Sequence, residues 1–319
     1  MSMAQISLGG LANFNSAVPW GLWVAIYVWL VGISASSFLL AMWGNLKNNQ
    51  TLKSITRMAI NLSLATLMAG LFSILIDLGR IERFYKLIVS PSPASVMAWM
   101  VWLYGVFFVI LVMALFKSKE IKGLFLTLAL LFSLAVIVIE SLLFAAPPGR
   151  DWHSLLFILK FLTSALASGI AALVFTAGIF CPRDRKRESL KGLTKLALFL
   201  IILNFAVEAA EMFYLGSINL SLVLLNAIAI ILLAMKNPVI KTSGGAAALA
   251  TILVSKYKAL ISGQLSEPYR GFQAAYVEPR LAFSYVPSAF EFFVSLALVL
   301  MTAVLFYILY KIFPLTREA

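Results

Sequence analysis

Long apolar runs dominate the chain and decide what it can fold into. Runs of about 18 or more mostly apolar residues, the length a membrane crossing needs, fall at Trp20–Trp43, Met58–Leu78, Val96–Phe116, Leu124–Ala146, Leu155–Phe180, Leu193–Leu215, Ile218–Met235 and Phe290–Ile312. Each suffices to cross a hydrocarbon core of about 30 Å as a helix. A ninth run, Ala246–Ser262, is shorter and carries Lys256 and Lys258. Periodicity alone does not separate a crossing from a re-entrant or interfacial segment there. The fold class expected is an all-α polytopic membrane protein. With 62% hydrophobic and 12% charged residues in a chain of 319, little remains for a soluble domain, and no globular catalytic head is expected.

The basic residues choose between eight spans and nine. With the N-terminus outside, the inner loops hold Lys47, Lys53, Arg57, Lys117, Lys119, Lys122, the run Arg183 to Lys195, Lys236 and Lys241. The outer loops hold fewer: Arg80, Arg83, Lys86, Arg150, Arg270 and Arg280. Nine spans also put Lys311 and Arg317 inside, so the positive-inside rule favours nine, N-terminus out and C-terminus in. The net charge of +12 is therefore read as a topology signal and a contact to anionic lipid, not as a nucleic-acid footprint. A cleaved signal peptide is not expected, because no basic residue precedes the first apolar run and that run is too long. The location expected is the cytoplasmic membrane. Tryptophans near span ends, Trp20, Trp23, Trp43, Trp99, Trp102 and Trp152, read as interfacial anchors.

Reactive side chains are few. One cysteine, Cys181, and one histidine, His153, cannot by themselves ligate a four-thiolate iron–sulfur cluster, a bis-histidine haem or a His-rich zinc centre. Any electron-transfer role must then use a diffusible organic cofactor.

The chain carries a faint internal repeat. Ser34-Ala35-Ser36-Ser37 in span 1 and Ser164-Ala165-Leu166-Ala167-Ser168-Gly169 in span 5 are small-residue faces that let helices approach closely. The next span carries a carboxylate near its outer end in each case, Asp77 in span 2 and Glu208 with Glu211 in span 6. This predicts a single integral membrane domain made of two parallel four-helix bundles, 1–146 and 155–264, with a ninth helix at 288–313.

Five of the thirteen acidic residues lie in or at the edge of apolar spans: Asp77, Glu140, Glu208, Glu211 and Glu291. A carboxylate in hydrocarbon costs about 2.5–3.5 kcal/mol, so it normally faces the bundle interior and marks a site. All five approach the outer face in the topology argued above. Glu208 and Glu211 share a helix face, where their repulsion should hold at least one proton, making them a candidate proton path together with His153. Arg80, Arg83, Arg150 and Lys160 stand near that level as counter-ions. A structural alternative makes the acids hydrated helix ends paired to those cations. For His153, an interfacial hydrogen bond is weighed above a proton relay; Lys160 could pair with a carboxylate or snorkel.

The stretch Asp77-Leu78-Gly79-Arg80-Ile81-Glu82-Arg83-Phe84-Tyr85, followed by Ser90-Pro91-Ser92-Pro93-Ala94-Ser95, resembles the signature after the second helix of the NrfD/PsrC family. These are integral membrane subunits of polysulfide-reductase-type complexes. Pro19-Trp20-Gly21-Leu22 with Tyr27, Glu140-Ser141-Leu142-Leu143, Arg150-Asp151-Trp152, Gly263-Gln264 and Tyr285-Val286-Pro287-Ser288 with Glu291 are similar to other parts of that family. The resemblance implies a menaquinone site near the outer face. It also implies two partners there, a ferredoxin-like subunit with four-iron clusters and a molybdopterin catalytic subunit, and no haem or cluster in this chain. It carries over Asp77 and Arg80 from the motif, with Glu140 and Glu291, as quinone-binding and proton-handling residues. Several relatives have a histidine near the start of the first helix; here that contact falls to Asn15 or Trp20.

The function expected is a membrane anchor that exchanges electrons between menaquinone and the iron–sulfur subunit of a respiratory oxidoreductase. Two rivals stand beside it, a proton-coupled secondary transporter and a purely structural anchor. Transporters bind near the midplane at broken helices, whereas here the acids lie at one edge and no proline interrupts spans 1 to 7.

Overall fold

The structure, a computed structural model, describes residues 20–78, 81–117, 121–146, 152–181, 183–265 and 284–314, without the side chains of 83 and 183–188. Its main elements are α1 (Leu22–Leu46), α2 (Thr56–Asp77), α3 (Val96–Lys117), α4 (Gly123–Ala145), α5 (Leu155–Phe180), α6 (Arg183–Tyr214), α7 (Leu220–Ala234), α8 (Pro238–Leu265) and α9 (Ala289–Ile312). Short helical turns at Gln50–Ser54, Ile81–Arg83 and Lys86–Val89 fill two of the connections. Among the described residues, eight helices are long and apolar enough to cross a membrane. The protein is an all-α, multi-pass membrane protein.

The sequence sets several helix starts by capping. Ser154 Oγ accepts from the Phe157 N–H at 3.1 Å, and the Asn237 side chain accepts from the Val239 N–H at 2.9 Å just ahead of Pro238, which tolerates a first helical position because its missing N–H has no partner there. Ser288 and Glu291 form a reciprocal capping box on α9.

Two helices depart from the apolar runs that predict them. The doubtful run Ala246–Ser262 lies inside α8, a continuous helix of 28 residues. The run Ile218–Met235 yields only the 15 residues of α7, a rise of about 22 Å, less than the roughly 30 Å of a hydrocarbon core. The shortening has a local cause. Gly216 takes a left-handed conformation (φ 63°) and ends α6 in a Schellman turn, with Ser217 N–H on Met212 O at 3.0 Å and Gly216 N–H on Phe213 O at 3.2 Å. Asn219 then caps α7 on Leu222 N–H.

The nine helices alternate in direction. At one end the start of α1 meets the end of α8, where the Gln264 side chain clamps the Trp20 backbone, accepting from its N–H at 2.9 Å and donating to its carbonyl at 2.8 Å. The start of α9 joins them through the Trp23 Nε1–H, which donates to Glu291 O at 3.2 Å. At the other end Arg57 donates to Leu115 O at 2.5 Å and Asn61 to Phe313 O at 3.0 Å. The start of α1 and the end of α9 therefore lie at opposite ends.

Buried along nearly its whole length, α1 is the centre of the molecule. It packs on α2 and α4, with α3 against α4; α5 packs on α6 and α8, with α7 against α8. The halves meet where the parallel helices α1 and α5 touch on small residues. A Cβ placed on Gly32 would lie 3.6 Å from Ala165 Cβ, and one on Gly169 would run into Ser36 and the Ser37 backbone. The serines satisfy their hydroxyls on nearby carbonyls, Ser36 on Gly32 O and Ser37 on Ile33 O, both at 2.5 Å, so the close approach buries no unpaired donor. The outer helices turn large apolar side chains outward, including Phe292 and Leu300 of α9.

Candidate functional site

Two cavities open at the end of the molecule that holds the start of α1. The first, of about 590 Å³, lies between α1, α2, α3 and α4. Its walls are mostly apolar, with Val24, Leu71, Ile74, Met100 and Phe144 among them, and Phe84, Leu87 and Ile88 of the α2–α3 connection close it from the end. The pieces that build this lid are the turn Ile81–Arg83 and the single helical turn Lys86–Val89. Gly105 lines the cavity, and a Cβ there would meet nothing within 4 Å.

Its polar groups are few and placed in sequence. Asp77, the last residue of α2, lines the mouth and makes no hydrogen bond to the described residues. Deeper in, Tyr27 of α1 and Tyr104 of α3 line the wall with their hydroxyls 2.5 Å apart. The Tyr104 hydroxyl also reaches Glu140 Oε1 of α4 at 3.3 Å. Glu140 is 1% exposed and lies within electrostatic range of Lys256 of α8. The Lys256 ammonium is buried, sits 4.2 Å over the Phe161 ring, and has no hydrogen-bond partner among the described residues. A line of ionisable side chains thus runs from the cavity wall inward to the contact between the halves.

The structure distributes the residues named from sequence. Trp20 and Asp77 line the first cavity, and Glu140 stands one side chain behind its wall. Asn15 and Arg80 lie outside the described residues. Glu291 is buried at the start of α9, where its carboxylate accepts from the Ser288 N–H at 2.8 Å and from the Tyr285 hydroxyl at 2.9 Å; it does not line either cavity. Burial, with the Glu291 charge after it, pushes the Tyr285 phenol well above its ordinary range, against the Leu22 N–H that favours the charged form. That phenol stays a donor. Glu208 and Glu211 share a face of α6 yet have separate partners. Glu208 takes hydrogen bonds from Asn226 at 2.9 Å and from Ser255, whereas Glu211 forms an ion pair with Lys160 of α5. The Lys160 cation thus pairs instead of snorkelling, and each carboxylate has its own stabilising contact. His153 is exposed, with Nδ1 2.8 Å from Ala145 O, a hydrogen bond that ties the α4–α5 connection to the end of α4.

The tryptophans divide. Trp43, Trp99 and Trp102 are exposed, as anchors are. The half-buried Trp20 and the buried Trp152 instead stack on each other with centroids 6.1 Å apart at 12°, and both pack edge-on against Phe144. Trp152 is buried because Gly263 leaves the room a Cβ would take, and its indole N–H donates to Ala259 O at 2.8 Å. Tyr104 is not among the residues the sequence singles out, and Lys256 enters there only as a charge within the run Ala246–Ser262. The one signal that could have found them is a polar side chain in the middle of a span.

The second cavity, of about 500 Å³, lies between α5, α6, α7 and α8, with the Lys160–Glu211 pair, Trp152 and Tyr257 in its lining.

A family model for polysulphide reductase, NrfD, matches residues 10–240. The chain belongs to the NrfD family. Full-length similarity agrees: this NrfD protein is 23% identical to a selenate reductase subunit of Mesobacillus selenatarsenatis, over 98% of this chain and 89% of that one. It is 25% identical to the Hdr-like menaquinol oxidoreductase integral membrane subunit of Archaeoglobus fulgidus, over 97% and 88%. A putative dimethyl sulfoxide reductase membrane subunit of Halobacterium salinarum is 28% identical over 62% of this chain and 53% of its own. In fold, the NrfD protein resembles a chain in the structure of bd oxidase from Geobacillus thermodenitrificans, with TM-score 0.65 and 11% identity over 95% of this chain and 98% of that one.

Proposed function

We propose that this NrfD-family protein is the quinone-reactive membrane subunit of a respiratory oxidoreductase, exchanging electrons between menaquinone and an iron–sulfur partner on the outer face. The observation that carries the reading is the first cavity. Its volume of about 590 Å³ falls within the roughly 300–1,000 Å³ of small-molecule sites, and its apolar walls with a few convergent polar groups are the usual lining of such sites. The relative named as a menaquinol oxidoreductase membrane subunit, alike over 97% of this chain, supports the choice of ligand.

A quinol bound there supplies two electrons and two protons; the chain binds it, orients it and takes the protons. Val24, Leu71 and Met100 hold an apolar ring and prenyl tail away from water, and the Phe84–Ile88 lid covers the headgroup end. Asp77 accepts a proton at the mouth. The Tyr27–Tyr104 pair presents a hydroxyl in the wall, and Glu140 behind it accepts the proton that Tyr104 passes on as it takes one from the ligand. Lys256 stabilises the Glu140 carboxylate when it is charged.

Lys47, Lys53, Lys117, Lys122, Lys191, Lys195, Lys236, Lys241 and Lys311 all belong to the end opposite the cavity, and by the positive-inside rule this supports a cavity on the outer face. Electrons then leave to a docked four-iron-cluster subunit and onward to a molybdopterin subunit. A cavity at one end of the bundle also differs from the midplane sites of secondary transporters.

Fluorescence-quench titration with a menaquinone-site inhibitor tests this, comparing wild type with Asp77→Asn, Glu140→Gln and Gly105→Phe. A Cβ at Gly105 meets nothing within 4 Å, so the backbone there accepts a side chain, and a phenylalanine ring at this position in the lining is the bulk introduced to obstruct the cavity. Saturable binding lost in Gly105→Phe and weakened in Asp77→Asn is expected. Wild-type affinity in Gly105→Phe would refute the site.

A further inference from the structure

The cavity between α5, α6, α7 and α8 repeats the first in position as well as size. Parallel α1 and α5 touch at matching places along their length: Trp20 on Trp152, Gly32 on Ala165, and Ser36 on Gly169. Contacts of this kind, each residue meeting its own counterpart, are what a two-fold axis running along the helices produces. The same rotation relates α2 to α6, α3 to α7 and α4 to α8, because each half shares one order of neighbours. Under it the first cavity, bounded by α1, α2, α3 and α4, falls on the second, bounded by α5, α6, α7 and α8. Trp20 lines one and Trp152 the other, so the stacked indoles form a wall between them. Near the end of α2 the first cavity has Asp77; near the end of α6 the second has Glu211.

We propose that this second cavity binds an isoprenoid quinone or quinol headgroup, so that one chain holds two. The proposal rests on reading the first cavity as a quinone site. Its polar lining favours a neutral ring with paired oxygens. Lys160 gives one N–H to Glu211 and retains others to donate to a quinone carbonyl, while the Glu211 carboxylate can accept from a quinol hydroxyl. Trp152, Phe157 and Tyr257 offer ring faces, and Met212, Leu222 and Ile261 continue the apolar wall. A phospholipid headgroup suits the cavity less. The Lys160–Glu211 pair carries no net charge to hold a phosphate, which leaves Lys258 as the single uncompensated cation in the lining, with two of its three N–H groups already on Asn219 at 2.9 Å and Ser221 at 2.8 Å.

The test is native mass spectrometry of the full chain in nanodiscs of defined phospholipid, loaded with a short-chain menaquinone, counting quinone and lipid adducts together. Ser262 and Ile218 both line the second cavity and are exposed, so Ser262→Trp and Ile218→Trp each fill it from the rim without opening the core. Wild type is expected to carry two quinones, Ser262→Trp and Ile218→Trp one, Gly105→Phe one, and Gly105→Phe with Ser262→Trp none. A single quinone in wild type, lost in Gly105→Phe and kept in both rim variants, overturns the second site and leaves the first standing. A single quinone lost in the rim variants and kept in Gly105→Phe overturns the reading of the first cavity, and with it the count of two. Loss of a lipid adduct with no change in quinone number makes the second cavity a lipid site and also overturns the proposal.

Discussion

Replacing Tyr104 with phenylalanine removes one oxygen and isolates its role. The ring and its edge-on contact with Tyr27, centroids 6.3 Å apart, remain. What goes is the 2.5 Å contact with the Tyr27 hydroxyl and the 3.3 Å hydrogen bond to Glu140. Tyr104 is the hydrogen-bond donor to Glu140 among the described residues, and Glu140 is 1% exposed. Leaving such a group unsatisfied costs about 1–3 kcal/mol, a loss that belongs in thermal unfolding. If Tyr104 also passes the proton, its removal takes away a positioned acid–base group, worth about 10²–10⁴ in rate. The two effects separate in the assay, which is menaquinol-analogue oxidation by the intact complex across pH, with kcat and KM determined apart. Tyr104→Phe is expected to lower kcat by about 10²-fold or more with little change in KM. Tyr27→Phe leaves the Tyr104–Glu140 bond in place and should retain more activity. Wild-type kcat and an unchanged pH profile in Tyr104→Phe would show that protons leave by another route.

Three further outcomes test the packing around the cavities. Lys160→Met strands the buried Glu211 carboxylate and should cost about 3–5 kcal/mol of stability, much of it regained in Lys160→Met with Glu211→Gln, as read by thermal unfolding in detergent. Gly169→Val drives a side chain into Ser36 and the Ser37 backbone; overpacking of about 1–3 kcal/mol should lower the unfolding temperature and loosen the contact between the halves, seen as faster amide exchange in α1 and α5. Gly216→Ala forces a left-handed alanine (φ 63°) at about 1–2 kcal/mol, and since Leu215, Ser217 and Ile218 line the second cavity, its ligand should be lost before that of the first.

Asp77 stands out because a carboxylate ends an apolar run, and the structure sets it on the cavity mouth. Glu140 stands out for the same reason, but its distance from the cavity depends on Tyr104, contributed by a helix 36 residues away in sequence. Glu291 reads as a site residue by its depth and by the family resemblance, and the Ser288 three positions before it also makes the pair a capping box, a local pattern legible in the sequence. The repulsion inferred for Glu208 and Glu211 follows from their spacing on one helix; Lys160, Asn226 and Ser255, from three other helices, supply the partners. Gly263-Gln264 is visible only as a motif, and its meaning, a niche for Trp152 and a clamp on Trp20, exists only once α8 meets α1 and α5.

The sequence by itself determined that the chain is helical and multi-pass, and where most of its helices lie, because lipid leaves the backbone no other partners than its own and apolar length is countable along the chain. It also determined which helix faces can approach closely, since small residues declare themselves. The tertiary structure alone decided which ionisable groups meet, which tryptophans stay exposed and which stack on each other, and that two cavities lie on either side of that stacked pair. Those are contacts between helices far apart in sequence, where burial and partner choice depend on the direction a side chain takes across an interface, and one-dimensional spacing carries no information about that direction.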